Sequence, residues 1–418
     1  MAETASNPDA DEKPERVTRN FATLAACQAA AGLLALLSLR ILATRLGPEG
    51  FGRACFAEAM LAYFILLSNM GLDTLGIREV ARRGGEAADY VRQISLVRLA
   101  LSLAGCAALA GAGLVMPVDG TTRGLIALYG LALLPLALSL EWLFQGTQQM
   151  QFSGLFLIVR EGVFVGLVAT FIRGPGDVLL VPAFYGVSRS AAVLLLWGVY
   201  VRRFGCGWRP GATGWAVLLR ESWPIGLSQF IGLAMYPLGT TLLGLISGPA
   251  AVGEYNAATR PLFFVLMLGG AYSMAVYPAA AGLYDRDRAG LAAFVRRAGW
   301  RSASVAAAVG AGGTLLSGPV IELLYPGGAY ARTAAVFGVF SWAVGAALVN
   351  GVYSKALLAC HGQRAYLVVA IFQFLVCCGV SAALIPRFGA LGAAAAVGAA
   401  EVAGLAGYGR AYRLASRR

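Results

Sequence analysis

Charge is scarce in this sequence. Charged residues make up 13% of its 418 positions, against roughly 25% in a soluble domain, while 58% are hydrophobic. A globule of this size could not cover itself with so little polar surface, so the chain is expected to face lipid. Lysine is rarer still, present only as Lys13 and Lys355, and neither ends a glycine-rich loop in Lys-Ser/Thr. That excludes a Walker-type ATP site. The one histidine, His361, falls in a short turn beside Arg364 and reads as a solvated residue rather than a proton carrier. Seven cysteines lie singly or as the vicinal pair Cys377-Cys378, with neither metal-ligand spacing nor a disulfide framework. No cofactor is implied. The net charge of +12 does not point to nucleic acid, because the arginines fall mostly in short segments between apolar runs.

Those runs dominate the chain. Apolar stretches long enough to cross a bilayer occur near 21–43, 54–76, 94–116, 124–144, 153–172, 178–201, 222–246, 255–281, 302–320, 333–358, 365–386 and 389–411. This predicts an all-α polytopic protein of about 12 transmembrane helices. Residues 1–20 are polar and of mixed charge, read as a disordered tail rather than a secretory signal. Arginine counts set the orientation. Arg78, Arg82, Arg83 and Arg92 share one loop, Arg202, Arg203, Arg209 and Arg220 a second, and Arg286, Arg288, Arg296, Arg297 and Arg301 a third. With Arg410, Arg413, Arg417 and Arg418 at the end, the positive-inside rule puts both termini in the cytoplasm.

The loop Gly47-Pro48-Glu49-Gly50-Phe51-Gly52 recurs as Gly248-Pro249-Ala250-Ala251-Val252-Gly253, half the chain later. A single G-P-x-x-x-G would be only a serviceable turn. Two at matching places in a six-plus-six arrangement indicate a duplication, and an even helix number makes it a parallel repeat. The expected organisation is a lobe at 21–203, a basic loop at 204–221 and a second lobe at 222–418, around a central cavity.

Four segments carry a family resemblance. Leu46-Gly47-Pro48-Glu49-Gly50-Phe51-Gly52 is followed by a helix ending Gly71-Leu72-Asp73-Thr74 and then Arg78-Glu79. Glu141-Trp142-Leu143-Phe144-Gln145-Gly146 closes the fourth span, Gly248 to Ala258 opens the second half, and Phe388-Gly389-Ala390-Leu391-Gly392 opens the last span. Together they resemble the bacterial polysaccharide and O-antigen flippases of the multidrug/oligosaccharidyl-lipid/polysaccharide exporter superfamily. The loop after the fourth span departs from the pattern. It reads Gln145-Gly146-Thr147-Gln148-Gln149-Met150, where that family is often basic. The resemblance implies a MATE-like fold in the bacterial inner membrane. It also implies a lipid-linked anionic oligosaccharide as cargo, moved by alternating access for polysaccharide and lipopolysaccharide biosynthesis, with a polymerase and glycosyltransferases as pathway partners.

Charges inside the spans are the candidate site. An arginine at mid-bilayer costs about 2.5–3.5 kcal/mol to insert, so it faces a cavity or a partner. Arg40 on span 1 and Arg260 on span 8 are expected to face each other across the cleft and hold a diphosphate by their planar forks. Arg189 and Arg160 would extend the positive lining. The plainer reading of each is an interhelical ion pair. Arg160 is expected to pair across helices with Glu141 or Glu58, because adjacent Glu161 lies about 100° away around its helix. Arg98, near a membrane end, reads as a snorkelling residue. Glu58 and Glu401 are candidates for a coupled proton or cation, and Asp73, Arg78 and Glu79 for a cytoplasmic gate. A multidrug exporter would favour acidic cavity residues. A membrane glycan polymerase or ligase would need a large outer loop, and the longest here runs only from Ile321 to Arg332.

Overall fold

The computed structural model describes residues 8–83, 87–205 and 214–416, and among these there is no β-strand. The first half comprises α1 (Pro8–Asn69), α2 (Leu72–Arg83), α3 (Ala87–Val115), α4 (Gly120–Leu131), α5 (Leu133–Ala137), α6 (Glu141–Gly146), α7 (Met150–Phe171) and α8 (Leu180–Phe204). The second comprises α9 (Trp215–Leu233), α10 (Met235–Ile246), α11 (Pro249–Arg286), α12 (Arg288–Leu315), α13 (Ser317–Leu324), α14 (Thr333–Ala359) and α15 (Gln363–Ala415).

Among the described residues, twelve crossings emerge once the breaks are respected. α1 is two helices joined at Gly47, and α15 two joined at Gly389. α9 with α10 and α12 with α13 are single crossings bent by 57° and 70°. α4, α5 and α6 make up one interrupted crossing. The helix of the first crossing begins at Pro8, earlier than the expected start at 21, because its helix-favouring Glu, Lys and Arg residues let it run on past the apolar stretch. The inter-lobe connection is likewise shorter than expected: helix runs to Phe204 and resumes at Trp215, with residues 206–213 outside the described ones.

Exposure supports the membrane assignment. Leu33, Leu103, Leu194, Val368, Leu375 and Val402 each present half or more of their surface to the outside. Such a belt is stable only against lipid. The interior is packed with small residues. α14 is the most enclosed helix, wedged between α11, α12 and α15.

The two lobes meet along α1, α10 and α11. Here the repeat shows its purpose. Gly47 (φ 69°, ψ 174°) and Gly248 (φ 85°, ψ 176°) adopt the same conformation, one that other residues rarely reach. Each turn then aims its closing glycine at its counterpart. A Cβ on Gly52 would collide with the Pro249 carbonyl, and one on Gly253 with the Pro48 carbonyl. The contact is reciprocal, as a pseudo-two-fold axis between the lobes requires. A second close approach joins Gly71, at the end of α1, to Gly226 on α9.

Candidate functional site

A cavity of about 290 Å³ lies at the junction of the lobes, lined from α1, α4, α7, α8 and α11. Its charged lining is Glu58, Glu161, Arg189 and Arg260. A second chamber of about 340 Å³ shares Cys55, Glu58, Arg260 and Phe263 with it and continues toward α10. The Glu58–Arg260 pair therefore stands between two chambers.

Each buried arginine has an acidic partner. Arg260 donates to Glu58 Oε2 at 2.5 Å, joining α11 to α1 across the lobes, and its Nε donates to Asn256 Oδ1 at 3.3 Å. Arg189 lies under the Tyr185 ring, 3.4 Å from its centroid, and 3.7 Å from Glu161 Oε1. Arg160 donates through Nε to the same Glu161 oxygen at 2.8 Å. This corrects the expectation that adjacent Arg160 and Glu161 could not pair. The flexible arginine stem reaches around the helix, and Glu161 bridges two guanidinium groups. Glu141 takes Gln145 instead.

Counted together, Arg160, Arg189 and Arg260 face Glu58 and Glu161, leaving one positive charge in surplus. The lining itself is balanced, Arg189 and Arg260 against Glu58 and Glu161; the surplus charge is Arg160, which stands behind Glu161 and is not part of the lining. Arg40 is exposed and is not among the residues lining either chamber, so Arg40 and Arg260 are not brought together.

At the end of the lobes expected to be cytoplasmic, the Asp73, Arg78 and Glu79 group divides. Arg78 bridges Glu79 at 3.0 Å and Glu221 of the other lobe at 3.2 Å, while Gln229 donates to Thr74 at 2.9 Å. Asp73 faces inward to Arg98 at 2.7 Å. Arg98 does not snorkel; it is buried and also donates to the Leu136 and Ser139 carbonyls at the break between α5 and α6. Sequence reasoning missed Glu221 and Gln229, which look like ordinary surface residues of α9. His361 is exposed in a turn with φ 57°, as expected.

Glu401 sits apart, in the second lobe. It lines a cavity of about 170 Å³ with Asn350 and Gln373, both of which donate to its Oε2. These two amides, isolated in apolar helices, were a legible signal of a polar site that the sequence reading did not use.

The architecture and charged inter-lobe cavity can now be set beside known proteins. The profile of the polysaccharide biosynthesis protein family matches residues 17–283, more than half of the chain. The chain belongs to that family. It is 26% identical over 268 residues to a protein of Escherichia coli (strain K12) assigned as an O-antigen transporter, a match covering 62% of this chain and 64% of that protein. The matched part is thus less than two thirds of that relative's length. An inward-facing multidrug resistance MATE family transporter of the MOP superfamily superposes over 92% of this chain and 95% of its own, with a TM-score of 0.72 and 15% identity. The lipid II flippase MurJ, in an inward closed conformation, superposes over 94% and 90% with a TM-score of 0.68 and 12% identity. At those identities the likeness establishes the fold, which is that of the MATE and MurJ transporters. The family match spans the first lobe and reaches into α11, so it includes both copies of the glycine turn and both members of the Glu58–Arg260 pair.

Proposed function

We propose that the protein is a flippase that carries a polyprenyl-diphosphate-linked oligosaccharide from the cytoplasmic to the outer leaflet. The observation that carries this reading is Arg260, held at the junction of the lobes and facing both chambers. A diphosphate entering the cavity competes with Glu58 and Glu161 for Arg260 and Arg189, and two phosphates offer more acceptor oxygens than two carboxylates. The headgroup rides between the lobes while the lipid tail remains in the bilayer, and the lobes rock between inward and outward openings. Arg160 supports Glu161 from behind. Asp73, Arg78 and Glu79 form the inner gate: the Arg78–Glu221 and Thr74–Gln229 contacts hold the cytoplasmic ends of the lobes together in this state and part when the cavity opens inward. The functional units are two six-helix lobes, the first ending with α8 at Phe204 and the second beginning with α9 at Trp215. Transport needs no covalent step, and the pathway's glycosyltransferases and polymerase act before and after it. The protein resides in the bacterial inner membrane with both termini cytoplasmic.

A second reading, export of cationic drugs, draws on Glu58 and Glu161 in the cavity and on the likeness to a multidrug transporter. Reconstitution separates the two. Purified protein in liposomes should flip a diphosphate-linked sugar lipid and leave cationic dyes unmoved; dye export without lipid flipping would reverse the assignment.

A further inference from the structure

Helices α11 and α12 follow one another across a single residue, Asp287, yet they do not pack as a pair. Each lies along α14, and they touch one another only sparingly. The space left between them is a groove of about 300 Å³, with Val265 and Leu268 of α11 on one side, Val305 of α12 on the other, and Gly269 and Leu348 behind. Gly269 lets Leu348 close the back, since a Cβ there would strike it. Ser302 also lines the groove, but its hydroxyl is spent on the Leu348 carbonyl at 3.1 Å. Leu268 and Val305 are each more than half exposed, so the groove opens outward to hydrocarbon. It shares no residue with either inter-lobe chamber, which sets it apart from the cargo site.

One end of this apolar groove is charged. Arg301 lines it on α12, and Tyr272 lines it on α11 at nearly the same separation from Asp287. No acidic residue lines the groove. Neither Arg301 nor Arg297, one turn away on the same face, forms an ion pair among the described residues. That contrasts with Arg160, Arg189 and Arg260, each of which has a carboxylate. Like charges one turn apart repel, and an arginine at the edge of the hydrocarbon calls for an anion. Trp300, 70% exposed, and the exposed Tyr277 mark this level as a membrane interface. The missing partner is therefore an anion at the interface, joined to an apolar chain that runs from it toward the bilayer centre.

We propose that the groove between α11 and α12 is a binding site for one anionic phospholipid of the surrounding bilayer. Its phosphate meets Arg301 and Arg297, and one acyl chain lies along Leu268 and Val305 to Val265. The lipid comes from the leaflet on the Asp287 side, which the arginine bias makes the cytoplasmic one, where anionic headgroups favour juxtamembrane arginines. The acyl chain supplies the packing that α11 and α12 do not give one another. Arg260 stands two turns beyond Leu268 on α11, about 12 Å along the helix, so the lipid steadies the helix that carries it. This goes beyond the flippase reading and holds whatever the cargo is.

The test uses the purified, delipidated full chain and no glycan lipid, so its outcome is independent of flipping. Phosphatidylglycerol or phosphatidylethanolamine is titrated in, and retained lipid is counted by native mass spectrometry. The wild type should hold one phosphatidylglycerol at least about fivefold more tightly than phosphatidylethanolamine. Arg301→Gln should erase that preference, and Val305→Trp, which fills the groove, should weaken both lipids. Arg410→Gln removes an equally exposed arginine from α15 and should change neither. Tm should follow occupancy, rising by about 2 °C or more with phosphatidylglycerol in the wild type and not in Arg301→Gln. Should Val305→Trp not fold, Leu268→Trp closes the groove from the other wall. Equal losses in Arg301→Gln and Arg410→Gln would reduce the effect to general surface charge and overturn the proposal. So would a wild type that holds both phospholipids alike, or one whose groove takes polyprenyl phosphate in preference to phosphatidylglycerol.

Discussion

Arg260 is placed to test how a guanidinium in a membrane divides its work between holding and binding. Its side chain and that of Glu58 are each about 30% exposed, so the pair is partly solvated and its contribution to stability is modest. Arg260→Lys keeps the charge and loses the planar fork, so Tm should stay within a few degrees of wild type while flipping falls at least about tenfold. Equal losses of Tm and flipping would make Arg260 a strut only. Glu161 predicts the opposite split. It is buried and bridges two arginines, so Glu161→Gln should destabilise by about 2–4 kcal/mol, while its removal frees Arg160 and Arg189 and raises pyrophosphate affinity, measured by calorimetry, about tenfold. The arginines that matter were visible in the sequence as charges stranded in apolar runs, because lipid makes such charges conspicuous. Their partners were not. Whether Arg160 turns to Glu161 or Glu141 depends on rotamers and on Arg189 of a different helix, and nothing in the order of residues encodes that. Arg40 carried the same sequence signal as Arg260 and ended on an exposed face, because a helix's lipid side and cleft side are distinguished only by what packs against it.

At the scale of elements, the paired glycine turns are the most constrained feature of the fold. Gly52 and Gly253 lie against backbone carbonyls of the opposite repeat, and a backbone cannot rotate away from an added methyl group. Gly52→Ala and Gly253→Ala should each cost about 1–3 kcal/mol, read as a fall in Tm, whereas Gly162→Ala, with open space around it, should be neutral or stabilising. The duplicated G-P-x-x-x-G was legible as a repeat; that the copies touch one another was not, because pseudo-symmetry predicts equivalent positions without saying which ones sit on the axis. Helix α4 offers a pH-dependent test. Asp119 caps its N-terminus, accepting from the Thr122 N–H and hydroxyl and pairing with Arg53. Burial pushes its carboxyl up, but the Thr122 bonds and the Arg53 charge outweigh this and hold it below the usual carboxylate range. A depressed native-state carboxyl stabilises above the unfolded value and loses that contribution as pH falls through the folded one. Asp119→Ala should therefore lower stability by about 1 kcal/mol at neutral pH. The gap between variant and wild type should close on acidification below about pH 4.

For the whole molecule, composition decided the solvent and hydropathy the crossings. These are statements about averages: each of the twelve expected stretches is mostly helical, although those at 54–76, 124–144, 222–246 and 302–320 run across breaks between helices. The bends at Gly47 and Gly389, the broken crossing at α4 to α6, and the contact of α1 with α11 are statements about particular contacts and needed coordinates. Together they make one machine. Two lobes meet at paired glycines, a polar latch between Arg78 and Glu221 ties them at one end, and a cavity lined by charges of both signs lies between. We propose that this cavity passes a diphosphate-linked glycan lipid from one leaflet to the other. The direct test is leaflet-resolved flipping of a short polyprenyl-diphosphate-linked sugar in proteoliposomes, comparing wild type with an Arg189→Gln, Arg260→Gln double variant. The account predicts flipping by the wild type and a loss of at least about a hundredfold in the double variant, the effect of two phosphate contacts worth about 1.4 kcal/mol each. Flipping by the double variant at the wild-type rate would contradict it.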